Sequence, residues 1–511
     1  MIAHLTLRPM AVRYVLPFLL LTATATAQPI PDTLRAPAEA DSVTVFGWTV
    51  DADADRLLVG ARVWPPPYPR AGGHKAAPED AADHHGTVFV YRRQADGAWE
   101  VEGRLKADYI SREDCFSWSM DLRGDLAAVG AECEYRENSK GSFQSGAVYL
   151  YRFDGAAWVR EAKLVLPNGE GAQISVYRFG ESVALGDGFL VVGSGNVSNP
   201  SDPDEDYASG AAFVFERDGG AWSLSATLRN EDMEAQVNEY FGGTVGVAGD
   251  AVLVGAPNED GPETEGRGAV YVFEKPGDAW TQTTKVTAPV AGPERFGALL
   301  AAETGKAVVG SRTAVYPLDR EAGGWTVGTS LLTEDKPYAV ARNGDRILTV
   351  DVGADEGTTG HLFTRSGMRW SGSAFVVPRF TVGRDELGSL TDQQAFVGVP
   401  TTEGGEVLVY DLSQLVDGEP APGAPFALAL STAPNPVAGR TTIRFETPRA
   451  GHVRLTAYDV LGREVARIAE GARPAAAQAV EFDASRLAPG LYFLRLETEG
   501  EAVTQRLTVV R

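Results

Sequence analysis

The side chains best suited to chemistry in this 511-residue chain lie in short stretches without regular patterning. His74, His84 and His85 stand with Asp80 and Asp83 in a Pro-rich segment that also holds Trp64 and Tyr68. Imidazole and carboxylate are transition-metal ligands, but their spacing here matches no zinc pattern. The plainer reading is an exposed Pro-rich loop whose histidines are incidental; a separate expectation is ligand binding by Trp64, Tyr68, His84 and His85, with the two aromatics stacking on a sugar or a peptide. Asp202, Asp204 and Asp206 alternate along Asp202-Pro-Asp204-Glu-Asp206. Alternate carboxylates suit a hard cation such as Ca2+, although the Gly that folds such a loop back is missing. Asn258-Glu-Asp260-Gly261 is similar and no stronger, and Asp51-Ala-Asp53-Ala-Asp55 reads as a polar turn without calcium. Neither G-x-S-x-G nor H-E-x-x-H occurs. No catalytic residue is assigned, and no cofactor is required.

The elements that hold these residues repeat. Phe46-Gly47 opens a segment closed by Leu57-Leu-Val-Gly60, and the same wording returns at 116–130, 179–193, 241–255 and 296–310. The interval from Phe to Gly is 14 residues in all five copies. Degenerate copies at Tyr338–Val350 and Leu387–Pro400 bring the count to seven. A second phrase follows each first one, as in Gly146-Ala-Val-Tyr-Leu-Tyr151 and Gly268-Ala-Val-Tyr-Val-Phe273, and then a Trp such as Trp99, Trp158, Trp222 or Trp280. Each unit reads as four short strands rich in Val, Phe, Tyr and Trp, with tight turns such as Gly124-Asp125 and Gly249-Asp250 joining the first two. Seven four-stranded sheets around a ring make a seven-bladed β-propeller. The seventh copy lacks a Trp strand, and Asp32-Thr-Leu-Arg35 resembles Thr227-Leu-Arg229, so the N-terminal segment is expected to supply the missing outer strand.

Composition narrows the class. A net charge of −23 disfavours nucleic-acid binding, and 57 Gly with 30 Pro favour an all-β chain. Arg8 and Arg13, the apolar run 14–21 and the small residues 22–27 have the order of a signal peptide, and the run is too short to span a membrane. Cys115 and Cys133, the only cysteines, flank the turn at Gly124-Asp125 at similar distances. They are expected to form a structural disulfide worth about 2–4 kcal/mol.

Residues 33–412 resemble the FG-GAP repeat family, which includes the propeller of integrin α chains. Integrin-type repeats often insert a D-x-D-x-D-G calcium loop, and here a short turn stands in that place. The last 80 residues resemble the type A sorting domain of the type IX secretion system. The resemblance rests on Pro434-Asn-Pro436, Tyr458-Asp459-x-Leu461-Gly462, Leu487-Ala-Pro-Gly-Leu-Tyr-Phe493 and the basic-ended Arg506–Arg511. It implies passage across the outer membrane, with subsequent cleavage of the domain.

The expected organisation is therefore all-β: a signal peptide (1–27), a seven-bladed propeller (28–412), a Pro/Gly/Ala-rich linker (413–430) and a small Ig-like β-sandwich (431–511). The expected product is a monomer, secreted or on the outer cell surface after transit through the periplasm, with the type IX machinery as partner of 431–511. Its expected role is adhesion, binding an extracellular protein or glycan through the face whose loops vary in length. A hydrolase acting on a polymer is the alternative, and a central pocket with two facing carboxylates would favour it.

Overall fold

The computed structural model describes residues 31–37, 44–63, 86–107, 115–138, 141–166, 176–197, 210–230, 239–260, 266–289, 294–321, 324–332, 336–352, 358–367, 369–380, 387–401, 404–416, 429–433, 437, 439–446, 451–459, 463–473, 477–498 and 502–510. Within them, seven antiparallel sheets, each with a path of four strands, follow one another, the first six built in chain order from the inside outwards. Blade two is representative, with strands Phe116–Arg123, Leu126–Ala131, Ala147–Phe153 and Trp158–Leu164. Its third strand buries Ala147 to Tyr151, while its fourth is exposed or half-buried except at Leu164, as expected for an inner and an edge strand. Blade five carries an additional two-residue strand, Leu331–Leu332, on its third strand.

The ring closes as the sequence predicts. Asp32–Arg35 pairs antiparallel with Gly404–Asp411, and so forms the outer strand of the seventh blade. A helix at Leu412–Val416 then buries Leu412 and Leu415 against the core of blades six and seven. The propeller thus runs past 412, where the sequence places the start of the linker.

Contact between blades explains the repeated glycines. In blade four the Phe241-Gly242 turn sits on blade three so closely that a Cβ on Gly242 would lie 2.2 Å from the Ala211 carbonyl oxygen. Reciprocally, a Cβ on Gly193 would lie 2.1 Å from the Gly242 oxygen, and one on Gly210 would lie 1.9 Å from the Phe241 oxygen. Parallel bridges Gly146↔Phe179, Gly210↔Phe241 and Gly268↔Phe296 mark the same seat. In blades one to four a hydroxyl three residues after the Phe fastens it, and in blade five Leu299 stands there instead. Ser119, Ser182 and Thr244 donate to the carbonyls of Gly180, Gly242 and Gly297 in the next blade, at 2.9, 3.3 and 2.8 Å.

A second seam lies further out. The outer strands of blades one and two carry a β-bulge that skips Glu102 and Glu161 in the pairing. The bulge turns each carboxylate toward the next blade, where it accepts from the indole N–H of Trp158 at 2.9 Å or Trp222 at 2.7 Å. The seam between blades five and six has no such glycine seat, since a Cβ on Gly310 would meet the Leu299 side chain of its own blade. Arg342 fills the gap instead, its side chain fully buried, donating to the Ala307 and Leu318 carbonyls and pairing with Asp319 at 2.6 Å.

Residues 429–510 form two further sheets, one of three strands and one of four, around a single apolar core that includes Ile443, Phe445, Leu455, Leu494 and Leu507. Asp459 accepts from the Arg463 backbone N–H at 3.0 Å and pairs with its side chain at 2.7 Å, which ties the Tyr-Asp-x-Leu-Gly hairpin.

Ser117 occupies the motif's Gly position in blade two at φ +70°, fully buried, and its hydroxyl has no hydrogen-bond partner. Ser117→Gly removes a left-handed strain of roughly 1–2 kcal/mol and an unsatisfied hydroxyl, against about 1 kcal/mol of added backbone entropy. The variant is expected to be more stable by about 1 kcal/mol, read as a higher urea midpoint with an unchanged m-value.

Candidate functional site

Strand one of every blade faces the ring axis, and together these strands enclose a channel of about 530 Å³. Its wall mixes aliphatic side chains, such as Val50, Val183, Val247 and Leu390, with polar side chains and exposed backbone. One side differs. Asp51 of blade one and Asp121 of blade two approach each other there, on neighbouring first strands.

Both carboxyls also tie blades together. Asp51 accepts from the Leu122 backbone N–H at 2.7 Å and from the Ser389 hydroxyl at 3.2 Å, and the Ala52 N–H donates back to Ser389 at 3.0 Å. Asp121 accepts from the Leu185 N–H at 2.5 Å. The chain of bonds therefore crosses from blade seven through one and two to three. Burial and then the neighbouring Asp121 charge push the Asp51 carboxyl well above the usual range. Burial raises Asp121 to about 6, while the Leu185 N–H and a hydrogen bond from Asp51 hold it down in part. The pair shares a proton.

At the end of the channel where the Phe-Gly turns lie, Trp48 and Trp118 sit two residues after Phe46 and Phe116. The Arg62 guanidinium lies between them, 4.7 Å from each ring centre, and Arg178 follows at 5.9 Å from Trp118. Such stacking holds a cation against an aromatic face. Arg178 is clamped by Glu132 of blade two at 3.1 Å and by Glu181 at 3.0 Å, and donates to the Tyr240 hydroxyl of blade four at 2.6 Å. Burial works against the Arg178 charge, but Glu132, Glu181 and Tyr240 outweigh it and strengthen its hold on the proton. Three blades thus meet on one guanidinium.

The expected site residues divide by location. Trp64, Tyr68, His84 and His85, and Asp202, Asp204 and Asp206, lie outside the described residues, as does the stretch 1–27. The loop bearing the first four leaves blade one directly after Arg62 and Val63 and returns at Gly86. Cys115 and Cys133 are joined in a disulfide, Cα atoms 5.2 Å apart, beside Glu132. The Asp51–Asp55 run is not one polar turn. Asp51 and Asp53 belong to strand one and accept from blade-two N–H groups, Asp53 from Gly124 at 2.5 Å, while Asp55 pairs with Arg92 at 2.8 Å. In blade four, Asp260 accepts from the Gly266 N–H and Glu259 from the Tyr271 hydroxyl. Sequence reasoning missed the Trp48–Arg62–Trp118–Arg178 ladder. Its signal was a Trp two residues after Phe in two blades, where the other strong copies have Glu181, Gly243 and Ala298.

Comparison with known proteins follows the same division. Residues 99–151 and 222–273 match the FG-GAP repeat, and residues 431–510 match the secretion system C-terminal sorting domain. The chain carries FG-GAP repeats and a secretion sorting domain. The sorting domain marks it for export by the type IX system, to the cell surface or the medium. No curated protein matches the chain. Among solved structures, a chain of the mitotic checkpoint complex is 11% identical over 80% of this chain and 99% of its own, with a TM-score of 0.45. Saccharomyces cerevisiae Sqt1 is 12% identical over 75% and 99%, with a TM-score of 0.40. Among the described residues, no helix is long and apolar enough to cross a membrane.

The shared proton has a measurable consequence. Both carboxyls hold it more tightly folded than unfolded, so their contribution to stability is greatest below about pH 4 and falls as pH rises through 6 and beyond. Asp51→Asn keeps the hydrogen-bonding shape without the second charge. Urea unfolding at pH 4, 6 and 8 should show the variant gaining on the wild type as pH rises. Parallel pH profiles for the two proteins would contradict a shared proton.

Proposed function

We propose that this exported propeller is a binding protein that engages an extracellular protein or polysaccharide through its variable-loop face, centred on blades one to three. The observation that carries this reading is the Trp48–Arg62–Trp118–Arg178 ladder at the channel mouth, because these side chains break the repeat and are not needed by every blade. Trp118 and Arg178 are part-exposed and would meet the ligand, with Trp48 and Arg62 buried behind them as support. The segment bearing Trp64, Tyr68, His84 and His85 follows Arg62 and Val63 in sequence, and in this reading it supplies further ligand contacts. Export begins, in this reading, with residues 1–27 as a signal peptide and passes through the periplasm. The released product acts as a monomer, with Ca2+ at Asp202, Asp204 and Asp206 as an accessory.

A hydrolase acting on an extracellular polymer is the second reading, favoured by the Asp51–Asp121 pair in the channel. Against it, both carboxylates accept backbone N–H groups of a neighbouring blade, which fixes them in structural roles. The matched families are a repeat and a secretion domain, neither of them catalytic.

A glycan and protein array probed with the purified chain, in Ca2+ and in EDTA, tests the proposal. Selective binding should fall at least tenfold in Trp118→Ala, or in Trp64→Ala combined with Tyr68→Ala. Loss in EDTA alone would move the site to the acidic loop of blade three. Absence of binding, with polymer turnover abolished by Asp51→Asn, would establish the enzyme instead.

A further inference from the structure

Blades two and four share a buried charge arrangement that blade three lacks. In blade two, Glu134 accepts from the Tyr149 hydroxyl at 2.7 Å and pairs with Lys163 at 2.5 Å, and Lys163 lies 5.0 Å from the Tyr149 ring centre. In blade four, Glu259, Tyr271 and Lys285 repeat it. The corresponding residues of blade three follow from the backbone. Val197 gives its carbonyl to the Gly210 N–H just as Glu134 and Glu259 do to Gly146 and Gly268. Phe213 pairs with Thr227 as Tyr149 pairs with Lys163 and Tyr271 with Lys285. Blade three has therefore replaced acid, phenol and cation by Val197, Phe213 and Thr227.

Two residues beyond Thr227 stands Arg229, and its charge is not answered. Both terminal nitrogens are withdrawn from water and have no hydrogen-bond partner among the described residues, although the residue as a whole is only part-buried. The neighbouring Asn230 amide donates to Glu239 and leaves Arg229 alone. Burial disfavours its charged form, with no carboxylate offsetting this. Elsewhere the chain treats buried arginine differently. Arg56 is held by Glu102, Asp125 and the Gly124 carbonyl, and Arg342 by Asp319 and two carbonyls. A guanidinium keeps its proton in proteins, and an uncompensated buried charge is strongly destabilising. An unsatisfied pair of donors in a fixed planar fork fits one oxyanion of carboxylate geometry.

We propose that Arg229 is an anion site that takes a single carboxylate group supplied from outside the chain. The site lies where blade three leads into blade four, on the variable-loop face, and stands independently of the ladder at the channel mouth. A free small carboxylate and the carboxylate of an acidic sugar present the same chemistry to it.

Thermal melting of the full chain in sodium acetate, sodium glucuronate and sodium chloride at matched ionic strength tests this, with Arg229→Met and Arg229→Lys in parallel. In the wild type, acetate should raise the melting temperature along a saturating curve that chloride does not reproduce. Arg229→Met should show no saturating rise and, without carboxylate, should be at least as stable as the wild type. Arg229→Lys keeps the charge but not the fork, so its response should weaken at least tenfold in concentration, and it carries the test if Arg229→Met does not fold. Half-saturation by glucuronate at a tenth of the acetate concentration would identify an acidic sugar as the source, and equal potency a free carboxylate. Identical responses of wild type and Arg229→Met, or a chloride effect as large as that of acetate, would overturn the proposal.

Discussion

Backbone approaches backbone where one blade meets the next, and this contact governs the rest of the ring. The oxygen of Gly242 sits where a Cβ on Gly193 would have to be, and the oxygen of Gly180 has the same relation to Gly130. Glycine is required there for space, because Gly193 and Gly130 have ordinary backbone angles. The Phe of each motif then drops into an aromatic slot, as Phe179 does between Phe213 and Phe215 with ring centres 5.7 and 5.9 Å away. The hydroxyl at Ser119, Ser182 or Thr244 completes the seat by satisfying the carbonyl that this close approach would otherwise bury unpaired. Phe, Gly and Ser or Thr are thus one device, and the constant interval to the second Gly keeps its two halves in register.

A ring fastened in this way leaves two places free to differ. One is the axis, where seven first strands meet without a common partner and where Asp51 and Asp121, both raised above the usual range by burial, bond blades seven, one, two and three together. The other is the face bearing the Phe-Gly turns, because the connections between strands two and three and between blades are not held by the seat. Trp48, Arg62, Trp118 and Arg178 occupy its inner margin, and the Cys115–Cys133 disulfide stands next to Glu132, which clamps Arg178. The opposite face has two-residue turns such as Gly124-Asp125, with little room for variation.

Much of this was legible in the sequence. The Phe-to-Gly interval gave the blades, the unmatched Asp32–Arg35 segment gave the closure, and the Tyr-Asp-x-Leu-Gly wording gave the second domain. These are local patterns, and local patterns survive in one dimension. What escaped depends on residues from different blades. Asp51 and Asp121 are 70 positions apart and look unremarkable singly; Asp51 even resembled part of a turn. Glu102 and Glu161 face the next blade only because a bulge reverses them, and no spacing rule announces a bulge. Arg342 and Arg229 can be told apart only by what lies around them, carbonyls and Asp319 for one and no hydrogen-bond partner among the described residues for the terminal nitrogens of the other. The helix at Leu412–Val416 was hidden by its polar Ser-Gln centre ahead of a Pro-rich stretch.

The central claim is that close approach, rather than backbone flexibility, makes glycine necessary at the blade contact. Gly193→Ala and Gly277→Ala separate the two, since both positions have ordinary backbone angles, while a Cβ meets the Gly242 oxygen at 2.1 Å in the first and nothing within 4 Å in the second. Urea unfolding of the two variants beside the wild type should show Gly193→Ala destabilised by about 3 kcal/mol or more, as for overpacking at a rigid contact, and Gly277→Ala unchanged within about 0.5 kcal/mol. Equal midpoints for Gly193→Ala and Gly277→Ala would contradict the account, because the blades would then be able to separate without cost.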